Sequence, residues 1–269
     1  MFVMHRRTLL VAFLLLPALP CLAHATWSII VLDRTRQWIG VAGASCTPDV
    51  YGIMSLRPGQ GVLIAQAIGD EAAIRRANEL LAGGTPSDSA LRLVTARTVD
   101  TASWFRQYAV ASFAGGLAQF TGDSTATYHG QRRTDDVLVQ GNSLPGPAVL
   151  DQAMAAIRAA SVAGRSLPEI LIAGLAAGAA AGGDVRCDTQ RATSAFLVVA
   201  RPGERPFLPY LTLSVFGAER GTVNAVEVLA ARLTRWTRSG GARNVITQEG
   251  VQPPGRAVTR KQPRAMPPR

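Results

Sequence analysis

Strand and helix signals come in blocks along this chain rather than in strict alternation, and that order narrows the folds available to it. Thr26–Leu32 and Trp38–Ser45 are β-branched and apolar, and only the polar connector Asp33-Arg34-Thr35-Arg36-Gln37 separates them. Two such runs so close together read as a β-hairpin. Gly61–Ala67 is a further strand. Two helices are predicted next, over Asp70–Ala82, which stops at Gly83-Gly84, and over Ser87–Thr98. Strands resume at Tyr108–Phe113, Leu117–Thr121 and Val137–Gln140, with Tyr128-His129-Gly130 read as a turn. Two more helices run from about Pro147 to Ala160 and from Pro168 to Gly182-Gly183. Ala195–Ala200 and Leu211–Phe216 are strands, and Val223–Trp236 is a closing helix. Hairpins demand antiparallel sheets, and segregated helix pairs must cover them. The class is α+β, and a four-layer α-β-β-α sandwich of two antiparallel sheets fits the order. Gly174, Gly178 and Gly182 recur every four residues and predict close approach of a neighbour to that helix.

Residues 1–25 lie outside this pattern and read as a secretory signal peptide. Arg6 and Arg7 form a basic start, Leu9–Leu16 is an apolar run, and Ala23-His24-Ala25 puts small residues where a signal peptidase reads them. The run is far short of the ~20 residues a spanning helix needs. Cleavage is expected between Ala25 and Thr26, which makes the protein periplasmic or secreted. Cys21 raises a lipoprotein alternative, and the arginine pair permits twin-arginine export. Once the leader is removed, Cys46 and Cys187 remain, either as a disulfide in an oxidising compartment or as two buried thiols.

The chain carries a formal net charge of +10, much of it near the C-terminus. Residues 239–269 contain six basic residues, five prolines and the single acidic residue Glu249, and are expected to be a disordered basic tail. Such a tail could make weak contact with an anionic envelope by charge alone. The rest, residues 26–238, reads as one domain. Nucleic-acid binding gains no support, because basic and aromatic residues are not interleaved. Oligomeric state is not legible.

Counting residues weakens several chemistries. His129 is the only histidine beyond the leader, and Lys261 is the only lysine in the chain. A histidine-rich metal site is out of reach, and no cofactor motif occurs: a phosphate loop needs a lysine the body lacks. No Gly-x-Ser-x-Gly elbow is present, and His129 reads as structural. Thr26 remains. A threonine at a free N-terminus carries its own base, because an α-amine has a pKa near 7.7–8.0 and can take the hydroxyl proton during attack.

Short motifs run in shared order through the body: Thr26-Trp27-Ser28-Ile29-Ile30, Gly40-Val41-Ala42-Gly43-Ala44-Ser45-Cys46, Gln66-Ala67, Phe120-Thr121-Gly122, Val139-Gln140-Gly141-Asn142, and Gly182-Gly183-Asp184-Val185-Arg186-Cys187 followed by Ser194-Ala195. On these the body, from Thr26 to Phe216, resembles the domain-of-unknown-function 1028 family of the N-terminal-nucleophile (Ntn) hydrolase-like fold. The resemblance implies the α-β-β-α sandwich and sharpens the expectation that Cys46 and Cys187 are bonded. It makes Thr26 the leading nucleophile candidate. An oxyanion needs fixed donors, and Asn142, after strand Val137–Gln140 and before Gly146-Pro147, is the candidate for that role. Asp184 and Arg186 would orient the amine or hold a substrate carboxylate, and Ser45 and Gln66 are supporting polar groups. The proteasome-like branch of that superfamily uses a lysine beside its nucleophile, and this body has none. Two functions follow as expectations. One is an exported amidohydrolase acting on a small amide or peptide-like substrate. The other is a non-catalytic envelope or ligand-binding protein on the same fold.

Overall fold

A computed structural model describes residues 26–125 and 128–241. The expected leader, 1–25, and all of the expected tail beyond Gly241 lie outside the described residues. The predicted hairpin is present as β1 (Thr26–Asp33) and β2 (Trp38–Ser45), in antiparallel register from Thr26 opposite Ser45 to Asp33 opposite Trp38. A 3₁₀ turn at Tyr51–Ile53 leads into β3 (Met54–Arg57) and β4 (Gly61–Gln66). Helices α1 (Glu71–Ala82) and α2 (Ser87–Val94) follow, and then β5 (Gln107–Ser112), β6 (Gly116–Thr121), β7 (Tyr128–Arg133) and β8 (Val137–Leu144). Helices α3 (Ala148–Val162) and α4 (Leu167–Ala180) precede β9 (Ser194–Ala200) and β10 (Leu211–Val215), and α5 (Ala225–Arg238) closes the fold.

The strands form two antiparallel sheets, one of six in the order β10-β9-β2-β1-β8-β7 and one of four in the order β3-β4-β5-β6. Strand alternation sends successive side chains to opposite faces, and the three cores follow from that. Trp27, Ile29 and Val31 of β1 point to the layer of α3, α4 and α5. Ile30 and Leu32 point between the sheets, where they meet Val62 and Ile64 of β4 and Ala109 and Ala111 of β5. Leu63, Tyr108 and Val110 face α1 and α2. The result is the expected four-layer α-β-β-α sandwich. Among the described residues no helix is long and apolar enough to cross a membrane.

Local chemistry sets the helix ends. The Asp70 side chain caps α1 by accepting from the Ala73 N–H at 3.0 Å, a preferred N-cap arrangement. Ser166 and Glu169 form a reciprocal capping box at α4, and hydrogen bonds from the Ser166 side chain and backbone hold the Glu169 carboxyl below its ordinary range.

Two sequence expectations need correction, and one strand is new. Tyr128-His129-Gly130 is not a turn: these residues belong to the edge strand β7, where backbone pairing to β8 compensates for a polar sequence. Strand β8 does not stop at Gln140 but continues through Asn142 to Leu144. The short strand β3 was not anticipated.

The glycine series of α4 serves sheet contact as much as helix contact. A Cβ at Gly174 would lie 2.7 Å from Ile157 of α3 and 2.8 Å from Ile29 of β1. At Gly178 it would lie 2.8 Å from the Trp27 indole nitrogen. The absent side chain therefore sets how deeply Trp27, next to Thr26, seats against the helix layer. Gly178→Ala is expected to destabilise the protein by about 2 kcal/mol through overpacking, despite alanine's better helix propensity. Denaturant unfolding of the variant measures this directly.

Candidate active site

The interior between the sheets changes character along the strands. One end is the aliphatic core. At the other, the same alternation brings Thr26 and Ser28 (β1), Ser45 (β2), Gln140 and Asn142 (β8) and Ser194 (β9) to face Gln66 (β4) and Gln107 (β5), all of them buried. Buried polar groups must find partners, and most of these do so with one another. The Ser28 hydroxyl donates to Gln66 Oε1 at 2.7 Å. Gln66 Nε2 donates to Gln107 Oε1 at 2.7 Å and to the Thr26 carbonyl at 3.3 Å. Asn142 Nδ2 donates to Gln107 Oε1 at 3.4 Å. Among the described residues Asn142 Oδ1 has no partner.

Thr26 is the first residue of β1, and cross-strand register fixes its neighbours. Ser45 is its partner on one side and Asn142 its partner on the other. Directly opposed residues of antiparallel strands have Cα atoms about 4.5–5.5 Å apart, so three of the sequence-derived candidates are immediate neighbours. Thr26 Oγ1 donates to Ser45 Oγ at 3.2 Å.

Asp184 and Arg186 join this cluster through Ser45. Arg186 Nη2 donates to Ser45 Oγ at 3.4 Å and to Asp184 Oδ2 at 2.7 Å, while its Nε reaches Asp184 Oδ1 at 3.1 Å. Asp184 is fully buried, and its carboxylate also accepts from the Arg186 N–H at 2.9 Å and the Cys46 N–H at 2.6 Å. The Cys46–Cys187 disulfide, spanning 141 residues, closes the loop between the two segments. Ser45 and Cys46 at the end of β2 are thus fastened to Asp184, Arg186 and Cys187 by a covalent bond and a buried ion pair. Such a bond points to an oxidising compartment. Replacing Asp184 by asparagine removes the counter-charge of a mostly buried arginine, and breaking a buried pair costs about 3 kcal/mol. Equilibrium unfolding of Asp184→Asn is the measurement.

Backbone strain gathers at the same end. Five non-glycine residues among those described have positive φ: Gln37, Ala67, Ser143, Asp188 and Arg191. Gln37 lies in the distant hairpin turn. The other four follow Gln66, follow Asn142, or flank the loop that carries Arg186 and Cys187. Each costs about 1–3 kcal/mol and persists only where the surroundings impose it, a pattern found at functional sites.

Beside Thr26 a cleft of about 400 Å³ opens to the surface. Its floor is Thr26 and Gln66, and Pro48, Val50, Ile53, Ala65 and Ala67 form apolar walls. Asp49 stands at its rim. The far rim, at Gly69, is anchored by Arg106, whose Nη1 donates to the Ile68 carbonyl at 2.9 Å and to the Gly69 carbonyl. Arg106 in turn pairs with Asp70 and the buried Asp100. The Tyr108 hydroxyl donates to Asp100 Oδ2 at 2.8 Å, and burial together with that carboxylate pushes the phenol pKa strongly upward. His129 stands apart, with Nδ1 3.2 Å from the Thr125 carbonyl.

All the candidate residues read from sequence therefore lie in one cluster: Thr26, Ser45, Asn142 and Gln66 directly, and Asp184 and Arg186 through Ser45. Sequence reasoning missed Ser28, Gln107 and the cleft wall around Pro48–Ile53. Ser28 and Gln107 had a usable signal, since each lies two residues from another inward-facing position of its strand.

Fold and site together define a class: an α-β-β-α sandwich with a strand-borne threonine at the polar end of its inter-sheet interior. A family model described as a family of unknown function, DUF1028, matches residues 26–222. The chain belongs to that family. Among solved structures, protein SPO2555 from Silicibacter pomeroyi, assigned to the same family, is similar with a TM-score of 0.66. The two are 24% identical, over 79% of this chain and 86% of that one, a likeness that establishes the shared fold. No curated protein is significantly similar to the chain.

Proposed function

We propose that the protein is an exported N-terminal-nucleophile amidohydrolase whose Thr26 is unmasked by removal of residues 1–25. The observation that carries this reading is the position of Thr26: first in its strand, hydrogen-bonded to Ser45 and on the floor of an open cleft. Cleavage between Ala25 and Thr26 would free the α-amine next to the hydroxyl. Thr26 Oγ then attacks the amide carbonyl and its proton passes to the amine. The C–N bond breaks, the leaving amine takes that proton, and water hydrolyses the resulting ester. Asn142 Nδ2, which donates one N–H to Gln107 Oε1 and has a second, is the oxyanion donor on this reading. The Arg186 guanidinium stays charged at neutral pH. It polarises the Ser45 hydroxyl that orients Thr26, a positioning role in place of the lysine found in proteasome-like enzymes. The disulfide is compatible with the periplasm or the extracellular space, and the basic residues beyond Gly241 would supply weak attraction to an anionic envelope.

The lysine-free body favours a second reading, a ligand-binding protein in which the cleft holds but does not cleave. One experiment separates the two. The exported protein is sequenced from its N-terminus, treated with an acylating electrophile, and digested to find the adduct by mass spectrometry. The enzyme reading expects a Thr26 start and an adduct on Thr26. A different first residue, or an adduct scattered over other nucleophiles, leaves the binding reading.

A further inference from the structure

The geometry points to a substrate class: amides whose acyl part carries a cationic group, read by Asp49. This rests on the reading of Thr26 as nucleophile. The acyl group stays bonded to Thr26 after the first step, so it must occupy space that Thr26 itself lines, and that space is the cleft. Its walls are apolar. Of the side chains of the described residues that line it, Asp49's alone is ionisable, and the Thr26 α-amine freed by cleavage is taken up as the base of the reaction. Asp49 Oδ1 is committed to the Tyr51 N–H at 2.7 Å, which fixes the carboxylate at the rim. Among the described residues no arginine pairs with it. Arg186, the nearest cation in the site's hydrogen-bond chain, is not on the cleft wall and is engaged by Asp184 through two nitrogens. A substrate carboxylate in the cleft would therefore meet a like charge, while an ammonium or guanidinium at the end of an aliphatic stem would meet its counter-ion. A stem against Val50 and Ile53 with a charged head at the rim is the way long cationic side chains bury.

The test uses two 4-nitrophenyl esters of matched shape, the 6-aminohexanoate and the heptanoate, on the exported protein. Acylation joins Thr26 Oγ to the ester carbonyl carbon and breaks the bond to 4-nitrophenolate, whose release is followed by absorbance. The hydroxyl proton goes to the α-amine. The wild type is expected to react about fivefold faster with the cationic ester, the scale of a rim charge pair. The preference should fall to about one in Asp49→Asn, which keeps the oxygen that accepts from Tyr51. It should survive in Asp49→Glu and shrink in 1 M salt, where screening acts within about 3 Å. Thermal unfolding of both variants checks that they fold. Equal rates for the two esters in the wild type, or a preference that Asp49→Asn retains, would overturn the proposal. Thr26→Ala reacting like the wild type with either ester would instead overturn the nucleophile reading beneath it.

Discussion

On the enzyme reading, Thr26→Ala is expected to abolish acylation of the protein that begins at residue 26, while Thr26→Ser retains it. Alanine removes the only atom of residue 26 that can form the ester and leaves the amine and the small residue preferred after a signal-peptidase cut. Removing a hydrolase nucleophile costs about 10⁶-fold in rate, so residual labelling should fall to background. The stability change should be small by comparison. Thr26 gives up one neutral hydrogen bond to Ser45 and one methyl group, about 1–2 kcal/mol together. Serine keeps the hydroxyl and loses only the methyl. A structural threonine gives the opposite pattern: stability falls in both variants and labelling is unaffected in either. Mass spectrometry of the labelled chains and denaturant unfolding of the same samples provide both readouts.

Reducing the Cys46–Cys187 bond is the second large expectation. The bond closes a loop of 141 residues. Releasing a loop of that length returns about 5 kcal/mol of chain entropy to the unfolded state, against a total stability of about 5–15 kcal/mol for a typical domain. A drop of that size should appear in denaturant unfolding with and without reductant, and in a Cys46→Ala/Cys187→Ala double variant. The effect should also reach the site. Cys46 follows Ser45, and Cys187 follows Arg186, so the cut bond loosens both ends of the Ser45–Arg186 contact. Acylation of Thr26 should slow even where the protein stays folded. Equal unfolding midpoints in both conditions would mean that the bond constrains nothing.

Parts of this molecule are legible in one dimension and parts are not, for physical reasons. The β1–β2 hairpin reads directly because two β-branched runs flank a short polar turn. Helix α1 reads from its Asp70 cap and its Gly83-Gly84 stop. Strand β7 does not, because an edge strand with one half-exposed face needs no apolar alternation, and Tyr128–Arg133 has none. Strand β3 is four residues long and only its middle is buried. At the site, Thr26, Ser45, Gln66, Asn142, Asp184 and Arg186 could be named because they sit in motifs or at strand ends. Gln107 carried only the weaker signal of its two-residue spacing from Ala109, and that spacing gains meaning only when a second sheet stacks over it. The cleft wall from Pro48 to Ile53 is non-repetitive chain, and no periodicity announces which of its residues face Thr26.

The alternation of β1 has a consequence for processing. Thr26 faces the cleft end of the interior, and Trp27 is locked by Gly178 into the helix layer behind it. A peptidase that cut one residue late would leave Trp27 as the first residue, with its amine in the strand but its side chain on the wrong side of the sheet. A cut one residue early would leave Thr26 with an acylated nitrogen and no base. On the enzyme reading, the period-two geometry of a single strand acts as a proofreader of maturation: both mis-cut forms could fold around the same cores and still be chemically silent.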